Sequence, residues 1–244
     1  MKIFITGGTS GLGLALATLY LQDGHHVGIC GRNLTKLPDG ITKNFQQLRC
    51  YEVDITEREA VKRAVQEFTL NNGLDVMIAN AGRSHGTKTS IPDFGVSADI
   101  IKVNMLGVLY AFEAALESML PQKHGHLVAI ASVAGFLGLP GAGAYCASKA
   151  GVITLCESLA IDLKRNGIAV TAICPGFIDT PLTQQNEHPM PFLMSAAPAA
   201  QRIKRAIEKR KTLYLFPKRM QAIIYVLATM PRWLYRMLMR IPTS

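Results

Sequence analysis

Short, nearly continuous apolar runs alternate along this chain with longer stretches of helical period. The runs fall at 2–6, 26–30, 47–53, 75–79, 126–131, 169–174 and 212–216, and the helical stretches at 11–22, 58–70, 96–120, 145–164 and 199–211. Runs such as "KIFIT" and "AVTAIC" lack the alternation of a half-exposed strand, so they predict strands buried on both faces. Strands of that kind separated by helices predict an α/β fold. The expected form is a doubly wound parallel sheet of about seven strands with helices on both faces. Two regions break the rhythm. Residues 181–198 carry four prolines and read as a long, partly irregular insert, so 177–198 is expected to form a lid. After 218 the strand–helix alternation stops. Nothing resembling a linker or repeat divides residues 1–218, which read as one domain followed by a tail at 219–244.

Composition narrows the picture. With 244 residues, 49% hydrophobic and 18% charged, the chain can fill a sizeable core, and disorder is excluded as its main character. Five cysteines at 30, 50, 146, 156 and 174 show no C-x-x-C spacing. They predict buried free thiols rather than a zinc site or a disulfide framework, and no metal is expected. The opening "MKIFITGG" runs directly into a strand and a turn, without the apolar stretch of a secretory signal. A cytoplasmic location is the expectation. The net charge of +9 suits phosphate-bearing ligands, nucleic acid or anionic lipid.

The segment "FITGGTSGLGLALA" follows the first strand and opens a helix, with Gly7, Gly11 and Gly13 in a G-x-x-x-G-x-G pattern. Glycines there let the backbone turn tightly and approach a pyrophosphate, whose charge sits at the helix N-terminus. Thr6, Thr9 and Ser10 add hydroxyls, and Leu12 lies in the helix's first turn. A carboxylate at the end of the second strand would hold a ribose 2′-hydroxyl. The chain reads "VGICGRN" there, with Gly31, Arg32 and Asn33. A guanidinium with no opposing carboxylate favours a 2′-phosphate, hence NADP(H) over NAD(H). The competing reading leaves Arg32 as a solvated loop residue.

A further segment, "AYCASKAG", spaces Tyr145 and Lys149 four apart, which on a helix places them on one face. Together these motifs resemble the short-chain dehydrogenase/reductase family in its compact single-domain branch, a Rossmann-like fold. The resemblance covers roughly residues 2–216. It rests on "TGGTSGLG", Asp54 in "VDIT", "NAG" at Asn80, Ala81 and Gly82, Asn104 in "KVN", Ser132, the Y-x-x-x-K of Tyr145 and Lys149, and "PGFIDT". It implies Asn104, Ser132, Tyr145 and Lys149 as the catalytic set. It also implies a cofactor site drawing on Asp54 and Ile55 at the adenine, on Asn80, Ala81 and Gly82, and on Pro175, Gly176, Ile178 and Thr180 at the nicotinamide. In that scheme Lys149 lowers the phenol pKa of Tyr145 and binds the nicotinamide ribose. Ser132 holds the substrate oxygen, Tyr145 exchanges its proton, and Asn104 anchors a water leading to Lys149. Two positions depart from the family pattern. Ala79 replaces an asparagine, and Ser10 stands where many NADP-preferring members carry a base, so the cofactor expectation leans on Arg32. The family also implies homodimers or homotetramers.

The substrate is expected to be a small carbonyl compound or secondary alcohol of apolar character. The segment 133–143 is apolar and glycine-rich, and 177–198 offers Phe177, Leu182, Met190, Phe192, Leu193 and Met194. His85 and His188 read as solvated loop residues. In the tail Arg232, Arg236 and Arg240 form a stripe beside Trp233, Leu234, Met237, Leu238 and Ile241. Contact of 219–241 with an anionic membrane surface competes with docking of the tail on the protein itself or on a partner subunit. Rival functions are an NADP(H)-binding sensor or scaffold without turnover, a nucleic-acid binder, and a sugar epimerase or dehydratase. Nucleic acid is not expected, because the late basic residues lack aromatic interleaving.

Overall fold

A computed structural model describes residues 1–70, 73–84, 92–185 and 189–239. The strands are β1 (Lys2–Thr6), β2 (His26–Gly31), β3 (Leu48–Glu52), β4 (Val76–Ala79), β5 (Gly125–Ile130), β6 (Ile168–Pro175), the two-residue β7 (Ile178–Asp179) and β8 (Met194–Ser195), and β9 (Leu213–Phe216). The helices are α1 (Gly11–Gln22), α2 (Ile41–Asn44), α3 (Arg58–Thr69), α4 (Phe94–Ile101), α5 (Gly107–Gln122), α6 (Gly143–Asp162), α7 (Ala196–Glu208), α8 (Lys218–Thr229) and α9 (Arg232–Met239). Seven strands form one sheet in the order β3-β2-β1-β4-β5-β6-β9, and every pairing is parallel. The order reverses between β1 and β4, and a crevice opens beyond the strand ends at such a switch point.

The continuous apolar strands have a direct cause. Alternate residues of each strand feed two separate cores. Phe4, Met77, Leu127 and Val170 face α3, α5 and α6, meeting Val65, Phe68, Phe112 and Val152. Ile3, Ile5, Ile29, Ile78 and Ile173 face α1 and α7, meeting Leu16, Tyr20 and Ile203. On the central strands β1, β4, β5 and β6 nearly every residue is buried, so neither face needs polar residues.

The helix expected over 96–120 is interrupted. A π-helical turn over Lys102–Leu106 separates α4 from α5, and such single turns concentrate at functional sites. The tail is two helices, divided where Pro231 follows Met230. Its inner face joins a third apolar cluster, with Met220, Ile224 and Tyr235 against Val133 and Leu137. The Tyr235 hydroxyl donates to the Gly138 carbonyl at 2.7 Å. The two-residue pair β7–β8 ties both ends of the proline-rich insert together.

The loop after β1 tolerates little. Gly7 and Gly11 have φ of +65° and +53°, left-handed values that suit glycine. A Cβ at Gly13 would lie 2.3 Å from the Gly7 carbonyl oxygen and 2.5 Å from Asn80 Nδ2. The carbonyl is backbone and cannot swing aside. Gly13→Ala is therefore expected to cost more than about 2 kcal/mol in urea unfolding; a variant as stable as the parent would contradict this packing.

Candidate active site

A cleft of about 620 Å³ opens at the switch point, beyond the ends of β1, β2, β4, β5 and β6. One end is basic and the other holds the Tyr145–Lys149 pair. The glycine loop lies between. Asn80, just after β4, fastens that loop: its Nδ2 donates to the carbonyls of Thr6 at 3.0 Å and Gly7 at 3.1 Å. In return Thr6 Oγ1 accepts from the backbone N–H groups of Asn80 and Ala81, both at 3.0 Å. No side chain caps α1, so its first amides, at Gly11, Leu12 and Gly13, face the cleft as an anion site.

The basic end follows β2. A Cβ built on Gly31 would meet Thr9 Oγ1 at 2.7 Å, so the Thr9 side chain occupies the position from which a carboxylate stem would start. Arg32, Asn33 and Lys36 line this end. Asn33 Oδ1 caps the short 3-10 turn Leu34–Lys36 by accepting from the Thr35 N–H at 2.8 Å, which places Lys36 on the same side as Arg32. Lys36 was absent from the sequence expectations; the signal was its place four residues past Arg32 in the same connection.

At the other end α6 carries Tyr145 and Lys149. Lys149 Nζ is buried and donates to the Ile130 carbonyl at the end of β5, at 2.8 Å. It stands 5.7 Å from the centre of the Tyr145 ring. Burial pulls the Lys149 ammonium down to about 8. Burial pushes the Tyr145 phenol up, opposed by a hydrogen bond with Ser132. The downward pull of Lys149 on Tyr145 anticipated from sequence does not appear here: desolvation dominates both groups. Ser132 caps the 3-10 turn Val133–Phe136, accepting from the Ala134 N–H at 3.1 Å. That turn packs close on α6, since a Cβ at Gly135 would lie 2.8 Å from the Lys149 carbonyl carbon.

The short chain dehydrogenase family model matches residues 1–191. The chain belongs to this family. An uncharacterized oxidoreductase of Myxococcus xanthus is 36% identical over 217 residues, 87% of this chain and 86% of its own. One of Staphylococcus aureus is 39% identical over 186 residues, 73% of this chain and 78% of its own. Among solved structures, a short chain dehydrogenase from Burkholderia cenocepacia in complex with NADP superposes with a TM-score of 0.85 at 23% identity, over 99% of this chain and 98% of that one. The protein ElxO with NADP bound gives 0.78 at 26% identity, covering 88% and 96%. This short chain dehydrogenase is an oxidoreductase with a Rossmann-like fold.

The structure gathers most of the sequence-derived site in the cleft. Gly7, Thr9, Ser10, Gly11, Leu12, Gly13, Arg32, Asn33, Ile55, Asn80, Ala81, Gly82, Ser132, Tyr145, Lys149, Pro175, Gly176, Ile178 and Thr180 all line it. Three others stand behind it. Thr6 serves the Asn80 clasp. Asp54 Oδ1 accepts from the Thr56 N–H at 2.9 Å and from its hydroxyl at 2.8 Å, a local turn. Asn104, fully buried on the π-turn, accepts from the Arg83 N–H at 2.7 Å and donates to the Arg83 carbonyl and to Ser148 Oγ, each at 3.0 Å. Both its N–H groups are thereby engaged, and one lone pair on Oδ1 remains beside Gly82. Ser148 in turn donates to the Tyr145 carbonyl at 2.7 Å.

The apolar loops are arranged differently from expectation. Val133 and Leu137 pack under α8 and α9 instead of facing the cleft, because the tail helices cover them. Of the insert's apolar residues Leu182 lines the cleft, while Phe192 and Leu193 are exposed. His85, His188, Arg240 and Ile241 lie outside the described residues.

The Lys149 shift fixes a sign. Unfolded, the ammonium keeps a pKa near 10.5; folded, it titrates at about 8. Between those values the unfolded chain holds the extra proton, so stability from this group rises with pH. Relative to Lys149→Met, the parent should gain about 2 to 3 kcal/mol between pH 7 and pH 10 in urea unfolding. A constant difference would mean that Lys149 is solvated.

Proposed function

We propose that this short chain dehydrogenase reduces small apolar ketones or aldehydes, or oxidises the matching secondary alcohols, with NADP(H). The observation that carries the reading is one cleft with Arg32 and Lys36 at one end and Ser132, Tyr145 and Lys149 at the other. The residues fit a dinucleotide: uncapped α1 amides for the pyrophosphate, glycines that admit its backbone approach, and two cations without a facing carboxylate for a 2′-phosphate. ElxO, solved with NADP bound and 26% identical to this chain, supports the same choice. Bound NADP(H) supplies or accepts the hydride.

The chain's own groups handle the proton. Ser132 Oγ, fixed by its bond to Ala134, positions the substrate oxygen. The Tyr145 phenol, kept protonated by burial, donates to that oxygen during reduction and recovers the proton during oxidation. Lys149, with a pKa drawn down to about 8, relays protons toward Tyr145 and would hold the ribose hydroxyls of the bound cofactor. Asn104 is a positioning residue, joining the Arg83 backbone to Ser148 and hence to the Tyr145 turn. The segment 177–198, tied by β7 and β8, acts as the lid, with Leu182 meeting the substrate's apolar part. The family's habit of forming dimers or tetramers is extended to this chain as well.

Tyr145→Phe should lower kcat for an aliphatic or aryl ketone by about 10²- to 10⁴-fold while leaving the NADPH Kd within a factor of two. Full turnover in this variant would sink the assignment. Arg32→Gln combined with Lys36→Gln should weaken NADPH at least about tenfold and NADH far less; equal losses would remove the 2′-phosphate reading.

A further inference from the structure

The charge of this chain is lopsided. Residues 202–244 hold eleven lysines and arginines against one acid, Glu208, while residues 1–201 hold fifteen against sixteen. The positive net charge therefore belongs to the C-terminal portion, and the domain before it is close to neutral.

The same portion exposes apolar side chains. α8 buries Met220 and Ile224 but turns Ile223, Tyr225 and Val226 outward, with Val226 63% exposed. α9 buries Tyr235, which is bonded to Gly138, and turns Trp233 and Met237 outward at 69% and 57% exposure. Arg232 and Arg236 flank that pair at the same four-residue spacing. Residues of this kind would normally be inside. The helices are also anchored by their other face, so the outward side is held in place and is not a frayed end. Continuous with it, Arg219 at the start of α8 lies over the Phe192 ring at 5.9 Å, and Leu193 beside it is exposed.

We propose that the outer face of α8 and α9 is a docking surface for an anionic lipid bilayer, which the protein meets peripherally. Charge complementarity selects this occupant. Cations bordering exposed tryptophan and aliphatic side chains match a surface of anionic headgroups over acyl chain. The helices, of 12 and 8 residues with Pro231 between them, are too short to cross a bilayer, so they lie in its interface. Docking would bring the exposed lid residues Phe192 and Leu193 toward the lipid, because α8 begins against them. The proposal does not depend on the oxidoreductase chemistry, and its test reads binding alone.

Trp233 is the chain's one tryptophan, so intrinsic emission reports directly on α9. The full chain is titrated with vesicles of phosphatidylcholine and with vesicles containing about a third anionic phosphatidylglycerol, and binding is read in parallel by flotation. The expected result is a blue shift and co-flotation with the anionic vesicles only, both suppressed by high salt. Arg232→Gln with Arg236→Gln should weaken binding about 25-fold, near fivefold for each cation. Met237→Ser should weaken it too, and all variants should keep the parent's melting temperature. Several results would overturn the proposal. These are no binding to anionic vesicles, binding unchanged in the arginine variant, or binding lost only when Arg202, Arg205 and Lys209 of α7 are changed to Gln. A blue-shifted Trp233 in a concentration-dependent dimer without lipid would instead assign the face to a second copy of this chain.

Discussion

Lys149 carries an ammonium into the interior beside β5, and much of the upper edge of the sheet is arranged around that cation. Its Nζ donates to the Ile130 carbonyl, and burial pulls its pKa down to about 8. A charge so placed is costly unless neighbouring groups are held close. The 3-10 turn after Ser132 approaches α6 at Gly135, and the π-turn brings Asn104 within reach of Ser148, one residue before Lys149. Small residues in "AYCASKAG" are what these approaches require. Tyr145 shares the helix face, and desolvation pushes its phenol up.

The other end of the cleft obeys a different constraint. There the backbone of the glycine loop, not a side chain, lines the cleft. Asn80 binds the loop after β1 to the end of β4 across the switch point, so two strands distant in sequence present one rigid edge. The adjacent connection places Arg32 and Lys36 together, while Thr9 fills the space above Gly31. The glycine loop and the Tyr145–Lys149 pair are then separated by the fixed geometry of five parallel strands.

The two-faced burial of the strands made the fold legible: apolar runs on both parities can only belong to a sheet covered twice, and the seven expected strands match to within one or two residues at their ends. Gly7, Gly11, Gly13, Tyr145 and Lys149 were legible because their chemistry demands particular residues at particular spacings. What escaped was cooperative. Lys36 joins Arg32 only because Asn33 caps the turn between them. The π-turn at 102–106 leaves no composition signal in an otherwise good helix. The apolar loop at 133–137 read as substrate lining because its cover, Met220, Ile224 and Tyr235, lies about a hundred residues away. Opposing shifts of Tyr145 and Lys149 also depend on burial, which spacing alone does not report.

The most direct measurement is a pair of equilibrium fluorescence titrations of the unmodified protein, one with NADPH and one with NADH. Saturable binding of both at one site is expected, with NADPH at least about tenfold tighter, a difference of some 1.4 kcal/mol. Equal affinities, or tighter NADH, would contradict the role given to Arg32 and Lys36. Binding of neither would contradict the assignment of the cleft itself.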